Sequence, residues 1–378
     1  MAKNYFVTGA TGVIGSALVP LLLEDQNSRV WMLMRADSSE HLEKRLEELI
    51  AFWGMNDSQA QDVSLRIIPL LGDVDESRFA LSDEVYADIA ERCTHIIHCA
   101  GVVRMTLPLE AARRHAPGSA KNIVELALAC QPSGLLQKIE YVSTVGVAGR
   151  MRELLPETWI TQEREFHTTY EQAKAEAEDY LREQMERYGL PVTLHRPSMV
   201  VADSKTGKVI RFQVFYSFCE FISGCRTFGI LPYLDDWFLD TVPVDYVAQV
   251  IKWSSEQGES SVGKILHTCS GPDFSMPLTE VQKTVRRLMK NHGIKLPLIL
   301  HIPLVIYSPL LKLVKPLLQK KMWRRLLPIF ADYLKHTHLF DNKNTLAYLK
   351  ENSGPELPLL NDHLEKVISV YLSTKPFT

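Results

Sequence analysis

Several things are missing from this chain, and each absence narrows its function. None of the six cysteines, Cys93, Cys99, Cys130, Cys219, Cys225 and Cys269, forms a CxxC pair or stands with histidine at zinc-ligand spacing. Reduced core thiols are expected, with neither a disulfide framework nor a metal site. Excess positive charge is missing too: 42 Lys and Arg against 45 Asp and Glu leave a formal net charge of -3, which gives nucleic-acid binding no support. The uncharged run Leu296–Leu311 has 16 residues and three prolines, short of the roughly 20 residues of a spanning helix. The first residues, MAKNYFVTGATG, enter a strand pattern at once, so no leader is expected and the reading is cytoplasmic. Internal repeats, low-complexity tracts and flexible linkers are also lacking.

What is present is a 378-residue chain with 46% hydrophobic and 23% charged residues, the balance of a globular protein. Short β-branched or aromatic runs alternate with longer helical patterns up to about residue 195. Expected strands are Tyr5–Thr8, Val30–Met34, Leu65–Leu70, His95–His98, Ile139–Ser143 and Val192–His195; expected helices are Val13–Leu23, Ser39–Phe52, Leu109–Cys130 and Tyr170–Tyr188. This alternation predicts a doubly wound parallel α/β sheet of the Rossmann kind. After Asp203 it breaks at the aromatic segment 211–238, returns in Val244–Trp253 and Lys264–His267, and gives way from Leu278 to a helical, proline-punctuated pattern. The expected division is a dinucleotide-binding domain of residues 1–205 plus 241–270, and a smaller, mainly helical substrate lobe of residues 206–240 plus 271–378.

Gly9-Ala10-Thr11-Gly12-Val13-Ile14-Gly15 follows the first strand and opens the first helix. That context gives each glycine a reason: a tight turn at Gly9, approach of the backbone to a pyrophosphate at Gly12, and helix–strand packing at Gly15. Arg35 ends the second strand, where an acid for a ribose 2′-hydroxyl is usual. A guanidinium there suits a 2′-phosphate, so NADPH is the expected cofactor, with Asp37 the alternative ribose contact. Asp73 and Val74 after the third strand, and Ala100 and Gly101 after the fourth, lie where the adenine edge and the middle of the cofactor would pass.

Tyr170 and Lys174 stand four residues apart on one helix face, an arrangement suited to proton donation by a phenol. Thr144, at the end of the fifth strand, would hold a carbonyl oxygen with Tyr170, while Ser143 should point elsewhere. With TGATGVIG, YVSTVGV, YEQAK and His195-Arg196-Pro197-Ser198 in view, the chain resembles the extended short-chain dehydrogenases/reductases. On Arg35, HCAGVV at 98–103, VPVDYVA at 242–248 and Phe340-Asp341-Asn342, it is most similar to their fatty acyl-CoA and thioester reductase branch. The resemblance implies Thr144 as oxyanion holder, Tyr170 as proton donor and Lys174 as ribose-binding tuner, with Pro197 and Met199 among the cofactor contacts. It also implies an acyl thioester substrate on coenzyme A or an acyl carrier protein, reduced to aldehyde; whether a second round to the alcohol follows is not legible in the sequence. One departure is His115-Ala116-Pro117-Gly118-Ser119, where the family commonly has NxxGT; His115 is either a proton-relay residue or structural.

The aromatics Phe212, Phe215, Tyr216, Phe218, Phe221 and Phe228 are either an acyl channel or a plain helical core. Residues 311–325 carry six cations and no acid, so the stretch 296–325 is a candidate contact for an anionic partner or a membrane leaflet. Two other functions use the same parts: a dehydrogenase or epimerase acting on a sterol or nucleotide-sugar hydroxyl, and a non-catalytic NADPH sensor.

Overall fold

The computed structural model describes residues 2–235, 237–314, 321–335 and 339–375. Its main sheet is built from β1 Asn4–Thr8, β2 Arg29–Met34, β3 Ile67–Leu71, β4 His95–His98, β5 Lys138–Val142, β6 Val192–His195 and β7 Ile265–Leu266. Their spatial order is β7-β6-β5-β4-β1-β2-β3, and every neighbouring pair is parallel. The order reverses between β1 and β4, so the crevice beyond their carboxyl ends is the ligand position that an open α/β sheet provides.

Successive strand side chains point to opposite faces, which explains why these strands are apolar nearly throughout: both faces are covered. Phe6, Trp31, Ile96, Ile139 and Val192 pack on one side with residues of helices Asp83–Arg92, Ser119–Cys130 and Thr169–Tyr188. Tyr5, Val7, Val30, Met32 and Ile97 pack on the other with helices Val13–Leu22, Ser39–Trp53 and Val244–Ser255.

Three local features depart from the expected pattern. The helix expected over 109–130 is two helices, Leu109–Arg113 and Ser119–Cys130, joined by a π turn at Arg114–Gly118 that contains Pro117; proline has no N–H to give the ladder, and the turn widens. An additional helix, Asp57–Arg66, starts with an Asn56/Gln59 capping box and buries only Val63, so no apolar stripe announces it. It takes up Leu65 and Arg66, and β3 begins at Ile67.

The helical lobe packs Val214–Ile222, Leu278–Asn291, Leu304–Val314, Lys321–Tyr333 and Leu360–Thr374 around one core. Phe215, Tyr216, Phe218 and Phe221 fill that core, which corrects the acyl-channel reading for these four. They pack ring against ring, Phe218 and Phe221 each about 5.5 Å from Phe330 (5.4 and 5.5 Å between centroids), and Phe228 is exposed. Helix Lys343–Glu351, grouped with the lobe by sequence, sends Leu349 into the sheet-side core. Of the basic stretch 311–325, residues 315–320, with Lys315 and Lys320, lie outside the described residues. Among the described residues no helix is long and apolar enough to cross a membrane.

Candidate active site

The glycine loop sits at the reversal point of the sheet, and its backbone explains its composition. Gly9 has φ +74°, and a Cβ there would lie 2.5 Å from the Ala100 nitrogen. β1 and β4 turn past each other at this point with no room for a side chain. Gly12 is the extended N-cap of helix Val13–Leu22 with no side-chain cap, and its own N–H bonds back to Gly9 O at 2.8 Å. The first amides of that helix therefore face outward without a competing side chain, which is what a pyrophosphate needs. At Gly15 an added Cβ would meet the Ala10 Cα at 2.6 Å. Val13 is buried and Ile14 half-buried against the sheet-side core.

Arg35 is exposed, with its guanidinium 3.8 Å from the Asp73 carboxylate. Asp37 turns to solvent beside His41 at 3.2 Å. Sequence reasoning missed Arg45. From helix Ser39–Trp53 it reaches the Thr11 hydroxyl at 3.0 Å and the Arg35 carbonyl, so a second guanidinium stands between the glycine loop and the end of β2. Its only trace in the sequence is a cation about two turns into the helix after β2, a position that reads as solvated surface. The loop after β3 adopts left-handed backbone at three consecutive non-glycine residues, Arg78, Phe79 and Ala80. It is held by the bond from Asp73 N to Phe79 O at 3.0 Å and by the buried Phe79 ring against Phe6. The Val74 carbonyl accepts from Asn122 Nδ2 at 2.8 Å.

Thr144 is the second residue after β5, with extended backbone. Its Oγ1 accepts from Gly146 N at 3.1 Å, capping the short turn Val145–Ala148, and its hydroxyl lies near enough to the Tyr170 phenol to favour the phenolate. Ser143, by contrast, donates to Glu178 at 2.5 Å, away from that pair. Burial pushes Tyr170 up to about 12; the Thr144 hydroxyl acts against it, and the nearby Glu171 charge adds to it. Lys174 is buried and donates to the Val142 carbonyl at 2.9 Å, and its ammonium lies 5.1 Å from the Tyr141 ring centroid. Burial lowers it to about 8.

Tyr170, Lys174, Gly101, Arg104 and His115 line one cleft that opens to solvent. Its edge carries the departure noted in the sequence: His115 Nδ1 lies 2.5 Å from Asp75. Ser119, at the other end of that motif, bonds its own helix at His115 O and Ala116 O, 2.8 and 3.0 Å. His98, buried between Thr8 at 2.9 Å and a stacked Tyr141 ring, is held down to about 3 by burial and then by the Lys174 charge, so it is neutral. Pro197 accepts from Val145 N at 3.1 Å, one residue from Thr144. Met199 starts a short strand, Met199–Val201, and packs toward the lobe core. Arg196, fully buried, pairs with Glu178 at 2.6 Å and clamps the carbonyls of Pro156 and Thr158; that motif residue holds the scaffold.

Comparison with known proteins adds independent information. The model of an NAD-binding family described as male sterility protein matches residues 7–251. The non-canonical nonribosomal peptide synthetase FrzA of a Cladobotryum species is 28% identical over 65% of this chain and 24% of its own length. The L-2-aminoadipate reductase of Schizosaccharomyces pombe is 27% identical over 71% of this chain and 19% of its own. The chain thus spans about a quarter or less of these curated relatives. Among solved structures, the terminal R domain from the myxalamid PKS-NRPS biosynthetic pathway is 25% identical with TM-score 0.77, covering 99% of this chain and 90% of that one. A thiolation-reductase di-domain from an archaeal non-ribosomal peptide synthetase has the same fold, with TM-score 0.73 at 17% identity over 99% of this chain and 75% of that one.

Proposed function

Because the chain belongs to the NAD-binding family described as male sterility protein, we propose that it reduces acyl thioesters with NADPH. It is an NAD(P)H-dependent oxidoreductase with the extended short-chain dehydrogenase/reductase fold. The observation that carries the proposal is Tyr170, with the Thr144 hydroxyl beside it, on a cleft that the phenol shares with Gly101 and Lys174. The fatty acyl-CoA branch expected from sequence is narrower than this support. The substrate class is a thioester on a carrier arm, either coenzyme A or a carrier protein.

The dinucleotide, when bound, supplies the hydride; the remaining roles fall to this chain. Gly9, Gly12 and the first turn of helix Val13–Leu22 cradle the pyrophosphate, and Thr11 is fixed by Arg45. Arg45 and Arg35 hold the 2′-phosphate, and Lys174 holds ribose hydroxyls. Asp73, Val74, Ala100, Gly101, Pro197 and Met199 complete the walls. As charge develops on the thioester carbonyl oxygen, Thr144 and Tyr170 donate to it, and Tyr170 gives up its proton. The resulting hemithioacetal collapses, its C–S bond breaks, and the hydroxyl proton leaves with the thiol as the aldehyde forms. The same pair serves a second round to the alcohol. The test is NADPH oxidation over a panel of acyl-CoAs, carrier-bound thioesters and aldehydes with product identification; thioester-dependent oxidation without aldehyde or alcohol product would refute the reading.

The proposal extends to the lobe surface. Between Glu280 and Asp332 the sequence has eleven Lys and Arg and no acid. Within that stretch Leu298 is 93% and Val305 83% exposed, with Leu300 and Ile306 also exposed. Exposed apolar residues among cations suit an anionic leaflet or the acidic surface that carries the thioester.

A further inference from the structure

The residue after the proton donor has no part in the chemistry above, yet it is buried and fully engaged. Glu171 Oε2 accepts from His167 N at 2.8 Å and Thr168 N at 3.3 Å. Thr168 in turn accepts from Glu171 N at 3.3 Å, so the two residues form the capping box that starts helix Thr169–Tyr188. The other oxygen, Oε1, accepts the phenol of Tyr333, the last residue of lobe helix Lys321–Tyr333. The Tyr333 ring stacks on His167 with centroids 4.6 Å apart. Its neighbour Asp332 takes Arg150 at 2.6 Å and His167 Nδ1 at 2.9 Å. On the far side, the Glu171 Cγ lies 3.3 Å from where a Cβ on Gly146 would stand, and Gly146 is the residue whose N–H bonds Thr144. One side chain thus binds the lobe and the helix start that carries Tyr170 through its carboxylate, and its Cγ lies beside the turn that carries Thr144.

From this geometry we propose that Tyr333 is a positioning residue for proton transfer: through Glu171 it latches the helical lobe to the catalytic helix and fixes the Thr144–Tyr170 pair. The inference rests on the reading of Tyr170 as the donor. Tyr170 occupies the second position of its helix, where backbone amides have no intrahelical acceptor and the helix frays unless it is capped. A phenol donating to a buried carboxylate is the stronger, charge-assisted kind of hydrogen bond. The ionised carboxylate is the form that accepts all three donors. Burial raises Glu171 to about 7, while the bonds from Tyr333, His167 and Thr168 and the Arg150 charge pull the other way. The charged and titratable groups facing it are Tyr170 on its own helix, Arg150 and His167 on the preceding segment, and Tyr333 with Asp332 from the lobe.

Tyr333→Phe keeps the ring on His167 and removes the donor. The expected result is a fall of about tenfold in kcat, the equivalent of about 1.4 kcal/mol, with NADPH Kd and thioester KM unchanged. The acid limb of the kcat profile moves to higher pH, because a bond that favours the carboxylate is gone; Glu171→Gln abolishes that limb. Tyr333→Phe added to Tyr170→Phe causes no further loss. Independently of turnover, hydrogen exchange at the His167 and Thr168 amides quickens in Tyr333→Phe. Unchanged kcat, pH profile and exchange would overturn the latch. So would parallel losses of NADPH affinity, KM and melting temperature, which would make Tyr333 scaffold only. If Tyr170→Phe keeps full turnover, the donor assignment fails and the latch with it. If Tyr170→Phe is inactive while Tyr333→Phe matches the parent, the latch alone fails.

Discussion

Replacing Arg45 by alanine tests the cofactor site where sequence and structure differ most. The guanidinium is held at two points, the Thr11 hydroxyl at 3.0 Å and the Arg35 carbonyl, so little ordering is left to be done when a phosphate arrives. Arg35, with 61% of its side chain exposed and Asp73 at 3.8 Å, must give up a partner and more freedom. A charge-assisted bond to phosphate contributes about 1.5–3 kcal/mol. Arg45→Ala should therefore raise the NADPH Kd roughly 10- to 150-fold, and Arg35→Ala should fall toward the lower end of that range. NADH, which lacks the 2′-phosphate, should bind both variants as it binds the parent. Calorimetric titration of both cofactors into the parent and the two variants gives the numbers. Equal weakening of NADH and NADPH in Arg45→Ala would refute the assignment and leave Arg45 as a brace for the glycine loop.

Other outcomes follow from the same geometry. Gly15→Ala places a Cβ 2.6 Å from the Ala10 Cα, backbone that cannot swing aside, and should cost about 1–3 kcal/mol of stability together with dinucleotide affinity; thermal melts with and without NADPH check both. Burial lowers Lys174 to about 8, so its ammonium dominates below that pH and is lost above it. kcat/KM for NADPH should therefore decline as pH rises through about 8, and a profile flat to pH 9 would remove Lys174 from ribose binding. Lys321→Glu with Arg325→Glu, both on the acid-free stretch, should weaken co-sedimentation with phosphatidylglycerol vesicles and raise KM for a coenzyme A thioester. kcat for a small free aldehyde should not change. Both effects in the parent should shrink with salt, since surface charge reaches only about 8 Å at physiological ionic strength.

The parallel sheet was legible because strands buried on both faces must be apolar throughout, and β1, β2, β4 and β6 lie within a residue or two of their expected bounds. The glycine loop was legible because three close backbone approaches each demand the same residue type. Helix Asp57–Arg66 was not, since it buries one side chain and starts from a cap. The aromatic segment was ambiguous for a different reason: a stripe of rings has the same pattern whether it lines a channel or fills a core, and only the packing of Phe218 and Phe221 on Phe330 decides for the core. Arg45 and Tyr333 were invisible because each acts on residues distant in the chain. Tyr333 meets Glu171 across a separation of 162 residues, and no local pattern marks such a pair. The expected influence of Lys174 on Tyr170 also needed the structure: its ammonium turns to the Val142 carbonyl, and burial, Glu171 and Thr144 are what shift the phenol.

The most direct test of the central claim is single-turnover reduction of an acyl thioester by the NADPH-bound protein, parent against Tyr170→Phe, with aldehyde trapped as it forms. The account predicts aldehyde stoichiometric with NADPH consumed in the parent, and a rate lower by roughly 10²–10⁴-fold in the variant at unchanged NADPH affinity. Aldehyde formed equally fast by Tyr170→Phe would contradict it.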